Sequence, residues 1–183
     1  MITLIYAHPY PQRSRANRAL LAALSDLPGL SVRSLYDLYP DFAIDVEAEQ
    51  RALLSTDTLL WQCPLYWYSV PPLLKLWFDK VLAYGWAYGE GAHALRGKLC
   101  RWIVSTGGDT QAFSASGVHG HAFEQFVLPV EQTARFCGMR WLPPFVLHHA
   151  HRIEPAALAE QALRLREQVV ELSSEVEREV ADG

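Results

Sequence analysis

The sequence predicts an α/β protein built around a parallel β-sheet. Short runs that are apolar at every position alternate along the chain with segments whose apolar residues recur at helical spacing. Continuous apolar runs are typical of strands that are covered on both faces. Strands that alternate with helices join through right-handed crossovers, which produces a parallel sheet between two helical layers.

The first elements follow this alternation. The run MITLIYA (1–7) predicts a buried first strand. Ser14 is suited to cap a helix that continues to about Leu24, because leucines follow it at helical spacing. LSVRSL (30–35) alternates apolar and polar residues, which predicts a second strand at an edge of the sheet.

The middle of the chain supplies a helix, a strand and a second helix. DVEAEQRALLS (45–55) opens with an acidic N-cap and predicts a helix, and TDTLLWQC (56–63) predicts the third strand. PPLLKLWFDKVLA (71–83) opens with prolines, which fit the first turn of a helix, and is apolar almost all round. A helix of this composition is either deeply buried or half buried against another subunit.

The last third of the chain continues in the same order. KLCRWIVST (98–106) predicts the fourth strand, and HAFEQFVLPVEQTARFC (121–137) predicts a helix that closes at Gly138. MRWLPPFVLHH (139–149) predicts a fifth strand, which its prolines place at a sheet edge. A charged helix over residues 154–180 completes the chain, with a solvated face.

Five strands in 183 residues predict a single flavodoxin-like domain over residues 1–183, a three-layer sandwich with helices on both faces and strand order 2-1-3-4-5. In such sheets ligands bind beyond the carboxyl ends of the strands, beside the first strand. Three loops should therefore meet at one site: HPYPQRSRAN (8–17), PLYWYSVPP (64–72) and TGGD (106–109).

Composition limits the function classes. The formal net charge is −4 and no Lys/Arg run is present, so nucleic acid is not an expected partner. The three cysteines have neither metal nor redox spacing and predict reduced, buried thiols of a cytoplasmic protein. The uncharged stretch 58–74 approaches membrane-spanning length, but three prolines interrupt it. We expect neither a transmembrane helix nor a signal peptide.

The first loop contains no glycine, although phosphate loops at such joints usually do. A helix that begins near Arg15 offers free N–H groups and the positive end of its dipole, which suit an anion. His8, Ser14 and Asn17 can add hydrogen bonds, and Arg13 or Arg15 can add charge. The alternative is that Ser14 only caps the helix while the other side chains face water.

The second loop places Tyr66, Trp67 and Tyr68 in succession, where chain turns are usually small and polar. Aromatic side chains and exposed backbone suit a flat ring with polar edges, such as isoalloxazine. The alternative is a core or dimer contact, because aromatic residues are also enriched at interfaces.

The third loop carries Gly107 and Gly108 at the end of a predicted buried strand. Residues without side chains let a ligand ring approach the backbone, and we expect a side chain at Gly108 to enter that space. Alone, such a pair more often marks a turn. Together the three loops predict a site for flavin mononucleotide (FMN), with its phosphate at the first loop and its ring between the other two.

Several motifs carry a family resemblance in order and spacing, as far as about Phe145. They are YAHPYPQRSRAN, LYPDF, QCPLYWYSVPPLLKLWFDKV, GWAYGEG, STGG, GVHGH and CGMRWLPPF. In these motifs the chain resembles the NAD(P)H:quinone oxidoreductase family of flavodoxin-like flavoproteins. The likeness is strongest to the bacterial branch that serves as the ancillary subunit of glutathione-regulated potassium-efflux antiporters.

The resemblance implies which residues bind the cofactor, FMN rather than FAD. Those expected at the phosphate and ribityl chain are His8, Ser14, Arg15, Ala16 and Asn17. Those expected around the ring are Leu65, Tyr66, Trp67, Tyr68, Ser105, Thr106, Gly107 and Gly108.

The resemblance also implies an activity and partners. Family members pass hydride from NAD(P)H through the flavin to a quinone, two electrons at once, in a ping-pong cycle. They are homodimers with active sites at the subunit boundary, which offers a use for the apolar helix 71–83. The likeness to the ancillary branch implies an antiporter partner at the inner face of the membrane. The alternative is a regulatory binding subunit with little physiological turnover.

One departure concerns catalysis. The family carries a tyrosine and a histidine after the two glycines, and this chain has Phe113 at the tyrosine position and His119 at the other. Only His119 is therefore assigned as catalytic, as an electrostatic or proton-donating group. The alternative is a hydrogen-bonded loop histidine.

The run HHAH (148–151) predicts no metal site, because neighbouring strand residues point in opposite directions.

Overall fold

The structure, a computed structural model, describes the backbone of residues 1–181 and the side chains of residues 1–175. Its strands are β1 (Ile2–Tyr6), β2 (Leu30–Ser34), β3 (Thr58–Pro64), β4 (Leu99–Ser105), β5 (Arg140–Trp141) and β6 (Phe145–Leu147). Its α-helices are α1 (Arg15–Leu24), α2 (Leu35–Leu38), α3 (Val46–Leu54), α4 (Pro72–Val81), α5 (Glu124–Phe136) and α6 (Pro155–Ala181).

The strands form one parallel sheet in the order β2-β1-β3-β4-β5, with β6 also paired to β4. This confirms the predicted order 2-1-3-4-5. Residues of β1 pair with β2 on one side and β3 on the other, from Ile2 to Tyr6. β2 lies at a sheet edge, as its alternating sequence predicts.

The predicted fifth strand, 139–149, is not continuous. Arg140 and Trp141 pair with the start of β4, and Phe145 to Leu147 pair with its end. Pro143 and Pro144 separate the two pieces because proline has no N–H to donate to a ladder. His148 and the residues that follow it form turns instead of extending the strand.

The sequence does not predict two short elements of the structure. A 3-10 turn, Pro11–Arg13, precedes α1, and α2 follows β2 without a loop. The predicted N-caps of α1 and α3 are correct: Ser14 Oγ accepts from the Asn17 N–H of α1, and Asp45 accepts from the Ala48 N–H of α3. No helix among the described residues is long and apolar enough to span a bilayer.

Each face of the sheet has its own core. One is formed mainly by α1 and α6 and includes Leu20 and Leu165; the other lies under the remaining helices and includes three fully buried tryptophans, Trp61, Trp77 and Trp102. Burial of each large apolar side chain contributes about 1.5–3 kcal/mol. The apolar face of α4 is thus deeply buried in its own chain.

A buried carboxylate joins the elements of the second core. Glu49 of α3 is fully buried and accepts from Arg33 at 2.6 and 2.8 Å, from the Tyr39 hydroxyl at 2.5 Å and from the Trp77 indole N–H at 2.9 Å. These donors come from β2, the end of α2 and α4. The carboxylate is satisfied only while all three elements keep their positions.

We expect Glu49→Ala to lower the free energy of unfolding by about 3–5 kcal/mol, because it leaves a partly buried Arg33 without its counter-charge. Urea titration followed by circular dichroism measures this. Glu47→Ala on the same helix is the control, because the Glu47 side chain is 86% exposed and its loss should cost less than about 0.5 kcal/mol. Equal midpoints for the two variants would contradict the bridging role of Glu49.

Candidate functional site

A cleft of about 230 Å³ opens at the carboxyl ends of β1, β3 and β4. Its lining comes from the loops after these strands and from the turn after β6. The lining residues are His8, Tyr10, Arg13, Ser14, Arg15, Ala16, Asn17, Pro64, Leu65, Tyr66, Ser105, Thr106, Gly107, Ala150 and His151. The three loops predicted to meet therefore do so in space.

All predicted cofactor residues except Trp67, Tyr68 and Gly108 line this cleft. Trp67 projects outward and is 92% exposed. Tyr68 and Gly108 lie next to the cleft, against the loop that carries His119. The phosphate end of the predicted site is thus a formed cavity, and its ring end is an open rim.

The N-terminus of α1 faces the cleft. The first N–H groups of a helix have no acceptor within the helix, so Arg15 and Ala16 present donors there. The side chain of Arg15 donates to the carbonyl of Ile153, and Arg13 lies over the Tyr10 ring at 5.7 Å. Ser14 caps the helix and also lines the cleft.

His8 is buried at the floor of the cleft, and its protonation pattern follows from its contacts. The Tyr10 N–H donates to His8 Nδ1 at 3.0 Å, so neutral His8 carries its proton on Nε2. Burial lowers the pKa of His8, and the nearby His151 lowers it further. His8 therefore offers a neutral N–H donor at neutral pH.

A buried amide joins the first loop to the third. Asn17 Nδ2 donates to Ser14 Oγ at 3.0 Å and to Ser105 Oγ at 2.8 Å. The Gln62 side chain in turn donates to the Asn17 carbonyl at 2.9 Å. Asn17 thus fixes α1 against the ends of β3 and β4 while it lines the cleft.

The second loop is a tight reverse turn. Tyr66 and Ser69 exchange backbone hydrogen bonds of 2.9 and 3.0 Å, and Trp67 and Tyr68 between them have φ of 46° and 64°. Two successive positive φ values define a type I′ turn, which usually requires glycine or asparagine. Aromatic residues in this conformation store strain of about 1–3 kcal/mol each.

The third loop is held by a histidine that sequence reasoning assigns no role. The Thr106 hydroxyl donates to the Gly108 carbonyl at 2.8 Å and lies 3.0 Å from His148 Nδ1. Because the single hydroxyl proton is already used, Nδ1–H of His148 is the donor to Thr106. Burial lowers the pKa of His148, which favours this neutral form.

Gly108 packs closely against the loop 109–119. A Cβ at this position would lie 3.0 Å from Ala112 and 3.2 Å from both Phe113 and His119 Nε2. A side chain there would displace the loop 109–119 before it filled the cleft. At Gly107 a Cβ would meet only His151, at 3.5 Å.

His119 is half-buried between the second and third loops. Its backbone N–H donates to the Ala112 carbonyl at 3.1 Å, and its ring packs on Phe113 with centroids 4.3 Å apart. The Tyr68 hydroxyl lies 3.4 Å from its Nδ1. This position beside Gly108 is compatible with the predicted catalytic role and also makes His119 a hydrogen-bonded loop residue.

Sequence reasoning gives the histidines after β6 no part in the site, although His151 lines the cleft and His148 fixes its third loop. The sequence indicates these residues through the run HHAH, which predicts no metal site and does not by itself place them at the cleft. Among the described residues no group of three or more His, Cys, Asp or Glu side chains is arranged to hold a metal ion.

Cys63 is buried, and desolvation raises the pKa of its thiol to about 12, so it has no thiolate character at neutral pH.

The parallel sheet, its strand order and a cleft beside β1 that receives a helix N-terminus define a flavodoxin-like protein. The sequence matches the model of the family described as "Flavodoxin-like fold" over residues 1–169. The chain belongs to this family.

Three similar proteins indicate where in the family it lies. The "Glutathione-regulated potassium-efflux system ancillary protein KefF" of Klebsiella aerogenes is 51% identical, over 93% of this chain and 96% of that protein. The general stress protein 14 of Treponema denticola, solved in complex with FMN, is 36% identical over 94% and 98% of the two chains, with a TM-score of 0.84. An NADPH-quinone reductase from P. pentosaceus is 31% identical over 92% and 96%, with a TM-score of 0.83.

Proposed function

We propose that the chain is an FMN-dependent NAD(P)H:quinone oxidoreductase that transfers two electrons at a time. The observation that carries this proposal is the cleft, where a helix N-terminus, two arginines and a neutral histidine face one cavity beside two turns of exposed backbone. The similarity to an FMN-bound protein and to an NADPH-quinone reductase supports it.

The cleft fits a phosphate. Its described lining includes Arg13 and Arg15 and no carboxylate. The N–H groups of the first turn of α1 and the Nε2–H of His8 add neutral donors, and an anion at a helix N-terminus gains about 0.3–1 kcal/mol from the dipole. One phosphate group is what these donors can satisfy, which favours FMN over the diphosphate of FAD.

The rim fits a flat ring. The Tyr66–Ser69 turn and the Thr106–Gly108 turn follow the paired strands β3 and β4, and Tyr66, Thr106 and Gly107 line the cleft. When bound, the flavin supplies a centre that takes hydride from NAD(P)H and passes it to a quinone. Thr106, held by His148, would keep the Gly107–Gly108 turn in place beside it. His119 would present a hydrogen-bond donor at the same rim.

The purified protein should be yellow and should be bleached by NAD(P)H, and a quinone should restore its colour. Colourless protein that takes up no added FMN would refute the proposal.

The phosphate assignment has its own test. Arg13→Gln should weaken FMN binding about 5- to 30-fold, because a charged hydrogen bond to phosphate is lost. Riboflavin, which lacks the phosphate, should bind wild type and variant equally. Fluorescence titration of the apoprotein measures both constants. Arg18→Gln is the control, because Arg18 is exposed on α1 and does not line the cleft; an equal loss for both variants would contradict the assignment.

We propose that the chain forms a homodimer through the surface beside α4. A groove of about 310 Å³ separates α4 from α5 and is lined partly by Phe78, Leu82 and Phe136, of which Phe136 is 64% exposed. An exposed aromatic residue at the edge of an apolar groove suits a subunit contact, because aromatic residues are enriched at interfaces.

Sedimentation equilibrium should give twice the 20.6 kDa mass of the chain. Phe136→Glu should shift the protein toward the monomer, because it would bury a charge at the contact. Glu131→Gln, on the same helix, is the control and should leave the mass unchanged. A monomeric wild-type protein at micromolar concentration would refute the dimer.

A second candidate function is favoured by the 51% identity to a potassium-efflux ancillary protein. We propose that the chain also binds, at the cytoplasmic side of the membrane, the antiporter that such a protein serves, and that this binding can be its main task.

We expect His119→Ala to retain flavin, to turn over more slowly and to leave activation of potassium efflux intact. Efflux from cells that carry each variant with the antiporter measures this. Activation that falls in proportion to turnover would show that catalysis, not binding, is required.

A further inference from the structure

Tyr68 contacts the one histidine that the proposed function places at the reacting rim. Its hydroxyl lies 3.4 Å from His119 Nδ1, and the two rings meet edge to face with centroids 5.5 Å apart. The Tyr68 ring also stacks on Phe126, with centroids 5.0 Å apart and an interplanar angle of 26°. Tyr68 is thus held on one side by α5 and faces the imidazole on another.

The turn conformation sets this position. Tyr68 has φ of 64°, a value that a bulky residue adopts only when its surroundings compensate for the strain. In this conformation the Tyr68 ring packs on Phe126 and meets the ring of His119. Strain retained at such a point, beside a cleft, is more often part of a site than of the general fold.

Phe113 occupies the neighbouring face of the imidazole and has no polar atom. Its ring centroid lies 4.3 Å from that of His119, with the planes tilted by 33°. The contact confines the imidazole plane but selects neither ring nitrogen for the proton. The Tyr68 hydroxyl, in contrast, lies within hydrogen-bonding distance of a nitrogen of His119.

The direction of this hydrogen bond follows from the two groups. A phenol is a strong donor and a weak acceptor, whereas the unprotonated nitrogen of an imidazole is a strong acceptor. The favoured arrangement is therefore Tyr68 O–H donating to His119 Nδ1, which leaves the proton of the neutral ring on Nε2. That nitrogen lies 3.2 Å from the point where a Cβ of Gly108 would be, so it is next to the Gly107–Gly108 turn.

We propose that Tyr68 is a positioning residue, which fixes His119 as the Nε2–H tautomer and directs that N–H toward the rim of the cleft. The catalytic consequence rests on the proposed function, because it assumes that His119 acts on a bound flavin or acceptor. The tautomer itself is a property of this chain alone. Tyr68 thereby places a phenol hydroxyl next to His119 from the second loop. Phe113, on the neighbouring face of the imidazole, has no hydroxyl group.

The first measurement uses the full-length apoprotein without flavin. Two-bond ¹H–¹⁵N correlation spectra of ¹⁵N-histidine-labelled protein, in mildly alkaline buffer, show which nitrogen of each neutral ring is protonated. The His119→Gln protein identifies the His119 signals among those of the seven histidines. We expect wild-type His119 to be almost entirely Nε2–H and Tyr68→Phe to show a larger Nδ1–H fraction.

Tyr68→Phe keeps the ring that stacks on Phe126 and removes only the oxygen. Tyr84→Phe is the matched control, because Tyr84 is 67% exposed and its ring partner is Tyr88. The control should give the wild-type His119 signals. Unchanged His119 signals in Tyr68→Phe, or an equal change in both variants, would overturn the inference.

The second measurement uses the flavin-loaded protein. Tyr68→Phe should lower kcat about 3- to 10-fold with KM for NAD(P)H nearly unchanged, because orientation and not substrate binding is lost. A shifted tautomer with unchanged kcat would overturn the catalytic part of the inference. Absence of reductase activity in wild-type protein would instead refute the proposed function, and the tautomer measurement would still decide the role of Tyr68.

Discussion

The buried amide of Asn17 is the interaction on which the site depends. Its two N–H protons go to Ser14 at the N-terminus of α1 and to Ser105 at the end of β4. These residues are 91 positions apart in sequence (105 − 14), and the same side chain couples them. A buried amide that gives up its partners leaves polar atoms unsatisfied at a cost of about 1–3 kcal/mol each. The phosphate end of the cleft therefore keeps its shape as part of the fold, before any ligand binds.

The sequence reveals this end of the site well and the other end poorly. Ser14 and Asn17 lie at a strand-to-helix joint, where local rules fix both the cap and the free N–H groups. The positive φ of Trp67 and Tyr68 has no local signal, because sequence rules assign such turns to glycine or asparagine. The direction of Gly108 depends on how the loop 109–119 packs, and that packing is tertiary.

The fifth strand shows the same limit. Its prolines correctly indicate an edge, but local rules do not show that the chain on both sides of Pro143 and Pro144 returns to the same partner strand. The consequence reaches the site, because β6 ends where His148 begins. His148 and His151 approach the cleft through that turn, so their part in the site becomes visible only with the topology.

The histidines of the site differ in which nitrogen carries the proton, and this governs how the cleft responds to pH. His8 accepts at Nδ1, whereas His148 donates from Nδ1, and burial lowers the pKa of both. Protonation would remove the acceptor that Tyr10 N–H uses at His8. A lowered pKa keeps both rings neutral as pH falls through the ordinary histidine range of about 6.5, and each becomes charged only at lower pH. Arg13 and Arg15 therefore supply the positive charge of the cleft near neutral pH, and the two histidines supply hydrogen-bond donors and acceptors of fixed direction.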